Sequence, residues 1–355
     1  MENYDNQKKV ALVSHEASLT GAPIVLLGLA ESLIDLGFSP TFFSRSEGPL
    51  VAELRKKNIK TFIADPLLIS EEINKGCFKA VFINTIVNYD IVLRINESIK
   101  LFWWLHETPI SYEHHSRGLK AIPKQQRENL RILSGGDYAR ATFLKFRPKY
   151  EIENFHYYVP ETNRKCRRLP LINQFAVNFI CAGTIEKRKG QDILVKAIRG
   201  IPKDLLIHAH FWFIGKPSDK AILSEINSLR IESYPVSYID LVKQEVLNDF
   251  IYSSDFLVCP SRLDPLPMVV AIAMSQGTPV VLSESVGIKN IAEPVECNVI
   301  FGNSSKGLKD VLINLISNNC GRPSKVFFKQ NIEQFNRYFS KKTFDINLKK
   351  LLDIL

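Results

Sequence analysis

Short apolar runs alternate with segments of helical spacing along most of the chain, and this alternation limits the fold more than any other feature. Val10–Ser14 is too short and too apolar for anything but a buried strand. Ile24–Leu36 follows with Leu26, Leu29, Ala30, Leu33 and Ile34 on one helical face, and Gly37 ends it. Strands are then predicted at Pro40–Ser44, Lys60–Ala64, Ala80–Asn84 and Lys100–Leu105, with helices at Leu50–Lys57 and Tyr89–Ile95. Strands that alternate with helices form parallel, doubly wound sheets, because each crossover returns to the same edge. The rhythm breaks at Tyr150–Pro170, which holds Pro160, Pro170 and the basic cluster Arg164, Lys165, Arg167 and Arg168. This stretch reads as a linker. A second series follows: strand Asn178–Ala182, helix Gln191–Ile198, strand Ala209–Gly215, helices Ala221–Leu229 and Val246–Ser253, strand Phe256–Cys259, helix Met268–Gln276 and a strand from Val280. Lys325–Leu355 is mostly of helical pattern.

A chain of 355 residues is typical of two domains, and 45% hydrophobic with 23% charged residues is ordinary for a globular protein. No apolar run reaches the roughly 18 residues that cross a bilayer. Met1–Lys9 is polar and lacks the apolar core of a secretory signal. The six cysteines (Cys77, Cys166, Cys181, Cys259, Cys297 and Cys320) form no C-x-x-C pair, so a reducing, cytoplasmic compartment is expected, without disulfides or zinc. The net charge of +9 is uneven. Residues 1–160 carry 20 basic and 18 acidic side chains, and residues 161–355 carry 26 and 19. Such a surface attracts nucleotide phosphates or an anionic membrane. No zinc-finger, RNP-like or helix-turn-helix pattern is present, so nucleic acid is not an expected partner.

Four loops follow predicted strands, the edge of a parallel sheet where ligands bind. Pro260-Ser261-Arg262-Leu263-Asp264-Pro265-Leu266-Pro267 places an arginine and a carboxylate between a strand and a helix start. Gly183-Thr184-Ile185-Glu186-Lys187-Arg188-Lys189-Gly190 places three bases there. A basic run is ordinarily a solvated turn, but beside a helix N-terminus it suits an anion, and Arg and Lys together suit a diphosphate. Ser14-His15-Glu16-Ala17-Ser18-Leu19-Thr20-Gly21-Ala22-Pro23 is neither G-x-G-x-x-G nor a P-loop; it is equally a tight turn or a binding loop. Trp103-Trp104-Leu105-His106-Glu107 ends the fifth strand, and its tryptophans read as core or rim. A histidine there is more often structural than functional.

In wording, order and spacing, these motifs resemble glycosyltransferase family 4, the retaining enzymes of the GT-B fold. The likeness covers roughly residues 10–345. The resemblance implies two Rossmann-like parallel-sheet domains facing a cleft: an acceptor-side domain over 1–160, a nucleotide-sugar domain over 161–335, and a helix over 336–355 that crosses back to the first. It implies that Gly21 and Ala22 face the donor phosphates, that Arg188 and Lys189 hold the diphosphate, and that His106 sits near the donor sugar. It gives Asp264 the sugar hydroxyls, as the first acid of a pair separated by seven other residues. Arg262 would pair with phosphate or with Asp264, and Glu107 would orient His106 or meet the acceptor. The second acid, which grips the ribose, is replaced by Ile272. Glu284 and Glu293 are candidates for its task.

The function so implied is transfer of a sugar from a nucleotide sugar to a hydroxyl of a growing glycan, a polysaccharide, lipopolysaccharide or lipid-linked oligosaccharide. No metal is expected, since side-chain cations neutralise the diphosphate and no Asp-x-Asp pair stands in a donor loop. The protein would be cytoplasmic and able to sit at the inner face of the membrane. Ile272 keeps a second reading open, a non-catalytic GT-B homologue that binds glycan or partners an active transferase. A nucleotide-sugar epimerase, which shares the fold, is a third.

Overall fold

The structure is a computed structural model that describes residues 9–19, 21–160, 165–173, 175–318 and 325–352. Thr20, Arg164 and Cys320 lie outside the described residues. The chain divides into two compact units, Met1–Pro160 with Lys341–Leu355, and Glu161–Ser340. Each is built on one sheet whose strands are all parallel.

The first unit carries β1 (Lys9–Ser14), β2 (Ser39–Ser44), β3 (Lys60–Ile63), β4 (Ala80–Asn84), β5 (Lys100–Leu105), β6 (Leu130–Ser134) and β7 (Ile152–Asn154). Their spatial order is β3-β2-β1-β4-β5-β6-β7, so the winding reverses between β1 and β4. The central strands are apolar on both faces because helices cover both; Val10–Val13 and Ala80–Ile83 are fully buried. The helix Gly21–Asp35 stops as its sequence predicts. Gly37, at φ +81°, donates to the Ile34 carbonyl (2.8 Å), and Phe38 donates to Leu33 (2.9 Å).

Two differences from the sequence reading have identifiable causes. A helix at Pro66–Lys75 was not expected. Asp65 caps it by accepting from the Leu67 and Leu68 N–H groups, and Pro66 stands at its first turn. The stretch Tyr150–Pro160 is not linker. β7 pairs with β6 there, and Phe155, Tyr157, Tyr158 and Val159 are buried. Its aromatic residues have no period because they cover several surfaces. Phe344, on the last helix (Lys341–Leu352), packs on Phe155, Tyr158 and Trp104 with ring centroids 5.0, 5.2 and 6.3 Å away. Lys341 pairs with Asp35 at 2.8 Å.

The second unit carries β8 (Val177–Ala182), β9 (Ala209–Ile214), β10 (Val236–Ile239), β11 (Phe256–Cys259), β12 (Val280–Ser283) and β13 (Val299–Phe301) in the order β10-β9-β8-β11-β12-β13. Here the winding reverses between β8 and β11. Phe179 stacks between Phe211 and Phe256 at 5.1 and 5.5 Å, which makes the centre of this core aromatic. Cys181 and Cys259 are buried and unbridged. Among the described residues no helix is long and apolar enough to cross a membrane.

Candidate functional site

In the second unit the side chains singled out by sequence gather at the carboxyl edge of adjacent strands. The loop after β8 enters a 3-10 turn at Lys187–Lys189 and turns into the helix Gln191–Arg199 at Gly190. Gly190 has φ +72°, and a Cβ there would meet the Pro260 carbonyl oxygen at 2.0 Å. Only glycine allows this approach. It seats the basic turn against the loop after β11, and Arg262 N–H donates to the Arg188 carbonyl at 2.9 Å. Gln191, almost fully buried, braces the loop from within, donating to the Thr184 carbonyl (2.9 Å).

The charges at this junction are tightly matched. Lys189 Nζ lies 2.5 Å from Asp264 Oδ2, and Arg188 Nη1 lies 3.8 Å from the same oxygen. Arg188 also donates to Glu186 (2.6 Å) and to the Leu263 carbonyl (3.3 Å). Asp264 is 5% exposed, and its backbone is held by the Gly287 N–H at 2.8 Å. The structure therefore brings Arg188, Lys189 and Asp264 together.

Arg262 does something else. Its guanidinium forks onto Asp192 with bonds of 2.6 and 2.7 Å and donates to the Lys187 carbonyl at 2.7 Å. Its charge is matched by Asp192 and not by the Asp264 carboxylate, and about a third of the side chain stays exposed. Lys187 completes the cluster at 2.9 Å from Asp192. Burial alone would raise the Asp192 carboxyl, but the hydrogen bonds from Arg262 and Lys187 outweigh it and hold it at about 2. Asp192 was missed in the sequence. Its signal was a carboxylate three residues after the basic run, in the first turn of a helix, where an acid is favoured.

Ile272 lies in the helix Met268–Ser275 and is 6% exposed, so it packs as an apolar residue does. Glu284 emerges just past β12, next along the same edge, and is exposed. Its Oε1 accepts weakly from the Asn303 N–H at 3.3 Å. Glu293 is exposed at the end of the short helix Lys289–Ala292.

In the first unit Gly21 opens its helix at φ +29° and is exposed, with no atom within 4 Å of a built Cβ. The Ala22 carbonyl accepts from Asn84 Nδ2 at 2.6 Å, which ties the helix start to the end of β4 across the point where the winding reverses. His106 follows β5. Its ring packs 4.9 Å from Trp104 and over Gly135, where a Cβ would come within 2.7 Å of Nδ1. Its Nε2 is shut off from solvent without a partner, and burial lowers the ring to about 3, so the imidazole is neutral. Gly135 is a second residue missed by the sequence reading.

Glu107 does not touch the His106 ring. Its carboxylate accepts from two backbone N–H groups, Ile86 and His106, each at 2.9 Å. Burial is the dominant cause that raises it to about 7, against the lowering effect of those bonds. It staples the turn after β4 to the end of β5. Thr85 in that turn holds φ +71°, costly for a β-branched residue. Both tryptophans are fully buried, with Trp103 donating to the Thr85 carbonyl (2.8 Å) and Trp104 to that of Phe155 (2.9 Å). They are core. Among the described residues no three His, Cys, Asp or Glu side chains gather as a metal-ligand set.

Two family models match the chain: "Glycosyl-transferase family 4" over residues 6–131 and "Glycosyl transferases group 1" over 176–318. A D-inositol 3-phosphate glycosyltransferase of Xylanimonas cellulosilytica is 25% identical over 226 residues, 59% of this chain and 51% of that protein. The chain spans about half or less of the length of the curated relatives it matches. Among solved structures, sucrose-phosphate synthase of Thermosynechococcus elongatus superposes with TM-score 0.76 at 16% identity, covering 98% of each chain. Anabaena HepE, solved in complex with UDP-glucose, gives 0.77 at 12% identity, covering 98% of this chain and all of that one. These structural likenesses establish the GT-B fold.

Proposed function

From the premise that the chain belongs with the family-4 glycosyltransferases, we propose that it moves a sugar from a nucleotide sugar to a hydroxyl of a glycan. The observation that carries this reading is the meeting of Arg188, Lys189 and Asp264 where the second sheet reverses its winding. That place favours a ligand, and the pairing of two cations with one carboxylate suits a glycosyl diphosphate.

In the reaction, the bond from the anomeric carbon to the diphosphate oxygen breaks and a bond from the acceptor oxygen forms. The acceptor proton passes to the departing phosphate, on the same face, so the configuration is retained. Arg188 and Lys189 stabilise the charge that grows on the diphosphate, the step at which such contacts count most. Asp264 takes the sugar hydroxyls. The family resemblance assigns Gly21 and Ala22 to the phosphates and neutral His106 to the sugar. With cations of its own the site calls for no metal. Arg262 acts through Asp192, as the clamp that keeps the basic turn in place. Glu284 is the carboxylate available to the ribose in place of Ile272. The acceptor is a polysaccharide, lipopolysaccharide or lipid-linked glycan. The excess of positive charge suits an anionic membrane; absence of salt-sensitive pelleting with acidic vesicles removes that part.

The test is thermal stability against UDP-, GDP-, TDP- and ADP-sugars. A ligand at 100 times its dissociation constant adds about 2.7 kcal/mol, enough to move the midpoint by several degrees. A shift with one nucleotide that disappears in Lys189→Ala supports the reading. Buried Ile272 favours one second reading, a non-catalytic homologue that partners an active transferase. Such a protein turns over no donor.

A further inference from the structure

The charge count at the carboxyl edge of β8 and β11 raises a question that the donor site must answer. Four cations stand there, Lys187, Arg188, Lys189 and Arg262, and three carboxylates face them, Glu186, Asp192 and Asp264. Asp192 is fully committed, being 2% exposed and bonded to both Arg262 and Lys187. Two cations remain for a ligand, and each already has a carboxylate: Arg188 has Glu186, and Lys189 has Asp264, whose Oδ2 Arg188 also approaches. A diphosphate carries at least two negative charges. It cannot be stabilised by cations that are already neutralised unless a carboxylate yields its place.

We infer that Asp264 serves as the internal counter-anion of Lys189, and that diphosphate binding displaces it from Lys189. Resting on the transferase reading above, this gives Asp264 two partners in turn: Lys189, as the structure shows, and the sugar hydroxyls once the donor is bound. The geometry suits an exchange of this kind. Asp264 is fixed through its backbone, where its carbonyl accepts from Gly287, while the carboxylate holds Lys189 by one oxygen. The Lys189 stem runs past Gly183, 3.9 Å from where a Cβ would stand, and its side chain is 21% exposed. The ammonium is thus the mobile partner, with four torsions to turn it toward a phosphate. Glu186 is more exposed than Asp264, so solvent weakens its hold on Arg188 and leaves Asp264 as the stronger competitor.

The exchange separates two kinds of ligand. A nucleoside diphosphate without sugar displaces Asp264 and offers it nothing in return. A nucleotide sugar gives the freed carboxylate its hydroxyls. The site therefore discriminates against the spent nucleotide and helps to release it, using the same carboxylate that holds the sugar.

The experiment measures binding of UDP, GDP, TDP and ADP, and of the nucleotide sugar found by the stability screen, by titration calorimetry on the wild type, Asp264→Asn, Asp264→Ser and Lys189→Met. Losing a partly buried charged competitor is expected to tighten nucleoside-diphosphate binding by about tenfold in Asp264→Asn. Asp264→Ser, which is smaller, should do the same, and donor-sugar affinity should fall in both. Equal or weaker nucleoside-diphosphate binding in both variants, with Lys189→Met still losing it, overturns the exchange and leaves the donor site standing. No nucleotide binding to the wild type at all overturns the donor site itself. Amide exchange of both Asp264 variants, compared with wild type, shows that the loop has kept its fold.

Discussion

Replacing Gly190 with alanine tests how the basic turn is held. Two costs arise, and both come from the geometry. A non-glycine residue at φ +72° pays about 1–2 kcal/mol for the left-handed conformation. The added Cβ would sit 2.0 Å from the Pro260 carbonyl oxygen, so the two loops must part by about 1 Å, an overpacking strain of roughly 1–3 kcal/mol. The expected sum is about 3 kcal/mol. The parting also lengthens the 2.9 Å bond between Arg262 N–H and the Arg188 carbonyl, which carries the Arg188 and Lys189 side chains away from Asp264. A global unfolding midpoint averages over both units and does not resolve a local cost. Hydrogen exchange of peptides over 177–199 reads the local cost, with peptides of the first unit as internal reference. Gly21→Ala is the control: at φ +29° it carries the same conformational cost of about 1–2 kcal/mol, but no atom lies within 4 Å of the new Cβ, so it lacks the overpacking strain. Protection within about 0.5 kcal/mol of wild type in Gly190→Ala, with nucleotide binding unchanged, would refute the argument.

Three further outcomes concern pH and stability. Asp192 is held at about 2 against an ordinary 3.8, so its contribution is complete above 3.8 and is lost as pH falls toward 2. After a discount for the exposed Lys187 and Arg262, about 1–2 kcal/mol should go in acid titrations of wild type but not of Asp192→Asn. His106 is lowered to about 3 from 6.5, so stability is complete above 6.5 and falls by roughly 4 kcal/mol toward pH 3; His106→Asn should remove that slope from first-unit peptides in pH-resolved hydrogen exchange. Glu107 runs the other way. Raised to about 7 from 4.5, it stabilises below 4.5 and loses roughly 3 kcal/mol as pH rises through 7, and a Glu107→Gln chain with the same urea–pH surface as wild type would contradict its burial as a carboxylate.

Strand and helix identity could be read in the sequence wherever a single local rule held. Ala80–Asn84, Lys100–Leu105 and Phe256–Cys259 are apolar because both sheet faces are covered, and their bounds match the structure. The helix at Pro66–Lys75 was not read from the sequence, although the Asp65-Pro66 pair carries its cap signal. Tyr150–Pro160 was not legible. Its residues cover different surfaces, including the Phe344 ring nearly 200 residues later, and no local period can encode that.

The sequence by itself determined the alternation, and with it two parallel sheets. It also placed Arg188, Lys189 and Asp264 at strand ends, because residue type and position along a strand are local properties. Pairing was decided only in three dimensions. Arg262 is two residues from Asp264 in the chain, yet its guanidinium turns to Asp192, 70 residues away. Lys189 reaches Asp264 across 75 residues. Glu107 lies next to His106 and binds its backbone instead of its ring. Burial then set the state of each group: it leaves the His106 imidazole neutral and brings the Glu107 carboxyl to about 7. Desolvation and partner choice depend on what the fold packs around a side chain, and a linear motif carries neither.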